Sequence, residues 1–131
     1  MKVATVEGRQ RLVDPDTEAR MQARLWEYMQ AYLKKGAVAF AVPNGGKRLA
    51  REAVSFKRQG VVAGIPDMQI VFGGMVYFLE LKIPGGRVSE DQAMQLSRLQ
   101  MAGARVAVVH GFDQAVAQLR QWALLRPGVY S

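Results

Sequence analysis

The chain has 131 residues, half of them hydrophobic, with 18 Lys and Arg against 11 Asp and Glu for a net charge of +7. That length suits one domain with a sizeable core and is too short for two. No cysteine and a single histidine, His110, exclude a disulfide scaffold, a thiol nucleophile, a cysteine-ligated metal and a His-rich cage, and they disfavour a serine triad.

The excess of basic residues points to a polyanionic partner, nucleic acid first, or else to charge that only keeps the protein in solution. The start, MKVATVEGRQR, has no apolar stretch of the signal-peptide kind. No run of about 18 apolar residues is long enough to span a membrane. A cytoplasmic location is expected.

Residues 1–13 are polar and unpatterned and are expected to form a flexible arm, with 14–131 a single domain. Asp14-Pro15 reads as a helix start, an N-cap followed by proline. This helix is expected to run to Lys35, where Gly36 stops it, with Met21, Leu25, Tyr28, Met29, Tyr32 and Leu33 as its apolar stripe. At about 100° per residue, Glu18 extends that stripe, while Glu27 falls on the solvent side. Glu18 is therefore the helix carboxylate that can reach a site, or it only complements the positive helix N-terminus. Residues 37–42 read as a short buried strand, and Pro43-Asn44-Gly45-Gly46 as a loop. Residues 47–59 read as a basic helix ended by Gly60. Lys47, Arg48, Arg51, Lys57 and Arg58 crowd there against one acid, Glu52. Lys47, Arg51 and Arg58 share a face that suits phosphate contacts or is simply solvated. Asn44 and its glycine turn let a backbone approach a phosphate, or only make the turn. Arg87, on a later loop, is a weaker candidate for the same task.

Residues 67–72 and 75–83 read as two strands joined by Gly73-Gly74, a hairpin signal. That turn sets Phe72 opposite Met75 and, counting back, Asp67 opposite Glu80. Facing Cβ atoms lie roughly 4.5–5.5 Å apart, and like charges at that distance repel. A divalent cation relieves the repulsion, since carboxylate oxygens are natural Mg²⁺ ligands. Lys82 follows Glu80 by two and shares its face. The alternative is a salt-bridge network at a sheet edge. Ser89 caps the next helix, to Ala102, with Gln92 completing a capping box. Residues 104–109 form another buried strand, and a last helix, about 113–124, starts on Asp113. His110 ends the strand as a structural residue, Trp26 and Trp122 are packing residues, and most of the seven methionines read as core. The order α, β, α, β, β, α, β, α gives an α/β fold with a mixed β-sheet flanked by helices.

These residues resemble a known signature. Gly64-Ile65-Pro66-Asp67, with Glu80-Leu81-Lys82 following so that Glu80 is thirteen positions after Asp67, looks like the PD-(D/E)XK nuclease pattern. Together with Pro43 to Arg48, Gly60 to Asp67, Ser89 to Gln92 and Gly103, it resembles the VRR-NUC family, in the compact stand-alone form of phages and prophages, over about residues 18–122. The Val-Arg-Arg motif that names the family has no counterpart placed here. The resemblance implies a restriction-endonuclease-like core and Mg²⁺- or Mn²⁺-dependent hydrolysis of phosphodiester bonds. It makes Asp67 and Glu80 metal ligands, with the Leu81 carbonyl a third, and Lys82 the catalytic lysine. Glu18 matches the helix glutamate and Gln92 the glutamine after the core strands. A structure-selective DNA endonuclease is expected, a homodimer acting on branched DNA and a Holliday-junction resolvase among the options, with Asn44, Lys47, Arg48, Arg51 and Arg58 on the DNA. The alternatives are a flap or nicking nuclease and a catalytically silent DNA-binding module.

Overall fold

The structure is a computed structural model that describes residues 15–43 and 50–128, with side chains described from Thr17 in the first helix and from Glu52 in the second. The arm at 1–13, Asp14, Asn44, Lys47 and Arg48 lie outside the described residues. Eight elements follow in the expected order: α1 (Pro15–Tyr32), β1 (Val38–Ala41), α2 (Ala50–Arg58), β2 (Met68–Phe72), β3 (Met75–Lys82), α3 (Glu90–Met101), β4 (Arg105–His110) and α4 (Phe112–Gln121). The strands form one mixed four-stranded sheet, ordered β1-β2-β3-β4. Among the described residues no helix is long and apolar enough to cross a membrane.

The chain divides into two compact units. The second, residues 35–80 with 88–108, is organised by the hairpin. Gly73 and Gly74 both take positive φ, which a two-residue turn requires. The register is the expected one, from Phe72↔Met75 to Met68↔Leu79. β1 adds antiparallel to β2, with Ala41 opposite Met68. Met68, Ile70 and Leu79 are completely buried and form the core here.

The expectation that 37–42 forms a buried strand is corrected. β1 is an edge strand, with Val38 58% and Phe40 41% exposed. An apolar run shows that a strand forms, but it does not say whether anything covers that strand.

The first unit contains α1, residues 81–87 and residues 109–128 of the described chain. Leu25, Met29 and Leu33 of the α1 stripe are buried, whereas Tyr32 is 41% exposed. α1 stops at Tyr32 instead of Lys35, because the chain turns into extended pairing there. Leu33 bridges Leu125, and Lys34 N–H donates to the Leu124 carbonyl at 2.8 Å. α4 starts one residue before the expected Asp113 and ends at Gln121. Its N-cap is Gly111, with no side-chain cap, and Asp113 sits in the first turn. The methionines divide: Met29 and Met68 are core, but Met94 and Met101 are exposed, the latter 86%.

Candidate active site

β3 carries the chemistry. Four consecutive residues, Phe78 to Leu81, are buried, so both faces of the strand are covered at this point. Glu80 lies among them at 1% exposure. Burying a charge this deeply is costly unless hydrogen bonds or a cation offset it. One hydrogen bond is in place, since Gln92 Nε2 donates to Glu80 Oε2 at 2.9 Å. The other oxygen, Oε1, is buried too and accepts no hydrogen bond from the described residues.

The orientation of Gln92 comes from its own helix. Ser89 caps α3, accepting from Gln92 N–H at 3.1 Å, and Gln92 Oε1 accepts from Ser89 N–H at 2.9 Å. With the carbonyl end engaged in the cap, the amide nitrogen faces the carboxylate. The sequence left two readings of Gln92, cap or site residue. The same side chain closes the cap and donates to Glu80.

Asp67 stands immediately before β2, half-buried. The β2–β3 ladder ends at Met68↔Leu79, and Asp67 and Glu80 are the residues that follow this last pair along the two chain segments. The Asp67 backbone is tied on its other side, its carbonyl accepting from Val42 N–H at 2.7 Å. The loop leading to Asp67 is held against the first turn of α3. Gly64 has φ +87, and a Cβ there would meet the Asp91 carbonyl oxygen at 2.6 Å. Only glycine suits both the conformation and the approach.

Lys82 is the next residue after Glu80 on the same face of β3 and is half-buried. Its carbonyl accepts from Gly111 N–H at 2.9 Å. Leu81, between them, is buried. Glu18 is half-buried on α1 and Glu27 exposed, as the helical spacing requires. Glu18, Leu81 and Lys82 belong to the first unit; Asp67, Glu80 and Gln92 belong to the second. His110 fills its structural role, Nε2 lying 3.0 Å from the Gly86 carbonyl. Of the basic helix, Lys57 and Arg58 are exposed in its last turn, and Arg51 is described only as backbone of α2.

Among the described residues no three His, Cys, Asp or Glu side chains gather as a metal-binding group. The candidate donors are instead two carboxylates, Glu80 on β3 and Asp67 immediately before β2. This fits Mg²⁺, which takes one or two carboxylates and completes its shell with waters and substrate phosphate.

The VRR-NUC domain family model matches residues 16–113. A solved structure described as a VRR_NUC domain protein aligns with a TM-score of 0.69 at 24% identity, covering 84% of this chain and 90% of its own. A second, described as a VRR_NUC domain, aligns with a TM-score of 0.54, also at 24% identity, over 79% of this chain and 94% of its own. No curated protein matches the chain.

Proposed function

The chain belongs to the VRR-NUC family, a family of nucleases, and from that premise we propose that it is a metal-dependent, structure-selective DNA endonuclease that hydrolyses phosphodiester bonds. The observation that carries the reading is the bond from Gln92 to Glu80. It fixes a buried carboxylate just past the last ladder pair, with Lys82 two residues on along β3.

Mg²⁺ or Mn²⁺ held by Asp67, Glu80 and the Leu81 carbonyl would polarise the scissile phosphate and acidify a water. The protein's own groups do the rest. Gln92, donating to one Glu80 oxygen, fixes the plane of the carboxylate. Lys82 offers three donors to the attacking water and to the non-bridging phosphate oxygens, where negative charge grows. Glu18, on α1, matches the helix glutamate of the family pattern. Asn44, Lys47, Arg48, Arg51 and Arg58 hold the DNA backbone. A homodimer pairs two such sites, as cutting two strands of a branched substrate such as a Holliday junction requires.

The test incubates labelled four-way junction, flap, linear duplex and single-stranded DNA with the protein in Mg²⁺, Mn²⁺ or EDTA, beside Lys82→Ala. Cutting that needs metal and vanishes in the variant is the expected result, the junction leading the substrates. Sedimentation of the same sample should show a dimer. Binding without cutting in either metal would replace this reading with a DNA-binding module.

A further inference from the structure

The first unit holds a second basic constellation, which the catalytic reading leaves unused. A cleft of about 520 Å³ opens there, within the range of about 300–1,000 Å³ of small-molecule pockets. One wall is α1, with Arg20, Met21 and Arg24; the others are Ile83 and Pro84 after β3, and the first turn of α4. Arg20 and Arg24, four residues apart, share a helix face and are exposed. The one acid lining the cleft is Asp113.

Arg24 has an aromatic partner. Its guanidinium lies over the Phe112 ring, 3.9 Å from the centroid. Tyr28 meets that ring edge-on, at 5.7 Å and 90°, and itself packs against Tyr32 at 4.7 Å. A stacked guanidinium commits its face and keeps its N–H edge for an oxyanion. The aromatic ladder thus stations the Arg24 guanidinium at the cleft. The cleft is also tied to Lys82. Ile83 follows Lys82 directly, and Gly111, on the far wall, donates its N–H to the Lys82 carbonyl.

Two guanidinium groups beside an apolar wall match the two halves of a nucleotide. Paired N–H donors suit its phosphate, and Met21, Ile83 and Pro84 suit its sugar and base. A recess of this volume is on the scale of one nucleotide. We propose that this cleft is a subsite for a single unpaired nucleotide of the bound strand, with Arg20 and Arg24 on its phosphate. The identity of the strand rests on the nuclease reading. The chemistry, a nucleotide phosphate, is shared with a free mononucleotide.

The test measures binding in EDTA by fluorescence anisotropy. The probes are a labelled duplex carrying a short single-stranded tail and the same duplex with blunt ends, read for wild type and for Arg20→Gln with Arg24→Gln, and dTMP is titrated separately by calorimetry. Wild type should prefer the tailed duplex by about tenfold, the scale of one or two charge-assisted hydrogen bonds. The double variant should lose that preference and bind the blunt duplex as before. Phe112→Leu, which frees Arg24, should fall between. Equal weakening on both DNAs, or no tail preference in the wild type, would overturn the subsite. Arginine-dependent binding of dTMP as tight as that of the tailed duplex would overturn the strand version and leave a free-nucleotide site. Cleavage by the wild type with an unaltered double variant removes the subsite and keeps the nuclease. An arginine-dependent tail preference with no cutting in Mg²⁺ or Mn²⁺ does the reverse.

Discussion

Gln92 has one side-chain amide and uses both ends of it. The carbonyl end closes the cap on Ser89 N–H, and the nitrogen end reaches Glu80. Substitutions can separate these jobs. Ser89→Ala removes the cap oxygen and should cost about 1 kcal/mol of stability, with cutting only slightly slowed. Gln92→Ala should cost at least as much and should also slow cleavage strongly, because Glu80 Oε2 loses its donor. Thermal melts beside single-turnover rates read the two effects apart; equal rate losses in the two variants would reduce Gln92 to a capping residue. Glu80→Gln is the complementary experiment. The amide oxygen can still accept from Gln92, so the fold is retained, but the anionic donor is gone. At a metal concentration about a hundredfold above its dissociation constant, Mn²⁺ should stabilise the wild type by about 2.7 kcal/mol. Glu80→Gln should show no such gain and no cleavage. Melts in EDTA and in Mn²⁺ check this, and a variant that still gains stability from Mn²⁺ would move the metal elsewhere.

At the scale of elements, the loop before β2 is placed by α3, and one glycine permits it. Gly64→Ala should suffer twice: from its φ of +87, and from a Cβ 2.6 Å from the Asp91 carbonyl oxygen. Gly60, at φ +95 with open space around it, is the control. Gly60→Ala should cost only the left-handed penalty of about 1–2 kcal/mol. Gly64→Ala should cost clearly more and should also impair cleavage by shifting Asp67, as urea unfolding and rate measurements would show. Local signals of this kind were legible in the sequence. The Gly73-Gly74 turn set the register from Phe72↔Met75 to Met68↔Leu79, because a two-residue turn leaves no slack in pairing. Ser89 and Gln92 announced their cap for the same reason. What depended on distant chain was not legible. The AVAFAV run did not reveal that β1 is an edge. The end of α1 is set by Leu125, and Arg24 finds its aromatic partner on α4. The Gln92–Glu80 bond joins residues on two elements, and no spacing rule foretells it.

For the whole molecule, the net charge of +7 has to be assigned to places. Charge that meets DNA phosphates releases counterions, so affinity falls with salt by about 0.9 in logarithmic slope per phosphate contact. The α2 segment and the α1 cleft then predict different signatures. Arg51→Ala with Arg58→Ala should flatten the slope on a blunt duplex by about two, weakening every sequence alike. The Arg20 and Arg24 variant should leave that slope unchanged and alter only the response to an unpaired tail. Binding isotherms at several salt concentrations, on blunt and tailed duplexes with both variants, separate the two. If the α2 pair leaves the slope unchanged, its charge is solvated and the duplex contacts another surface. The alternative of charge serving only solubility requires both variants to bind like the wild type on both DNAs. A site needs its phosphates in register with fixed donors, whereas diffuse charge does not distinguish one arginine from another.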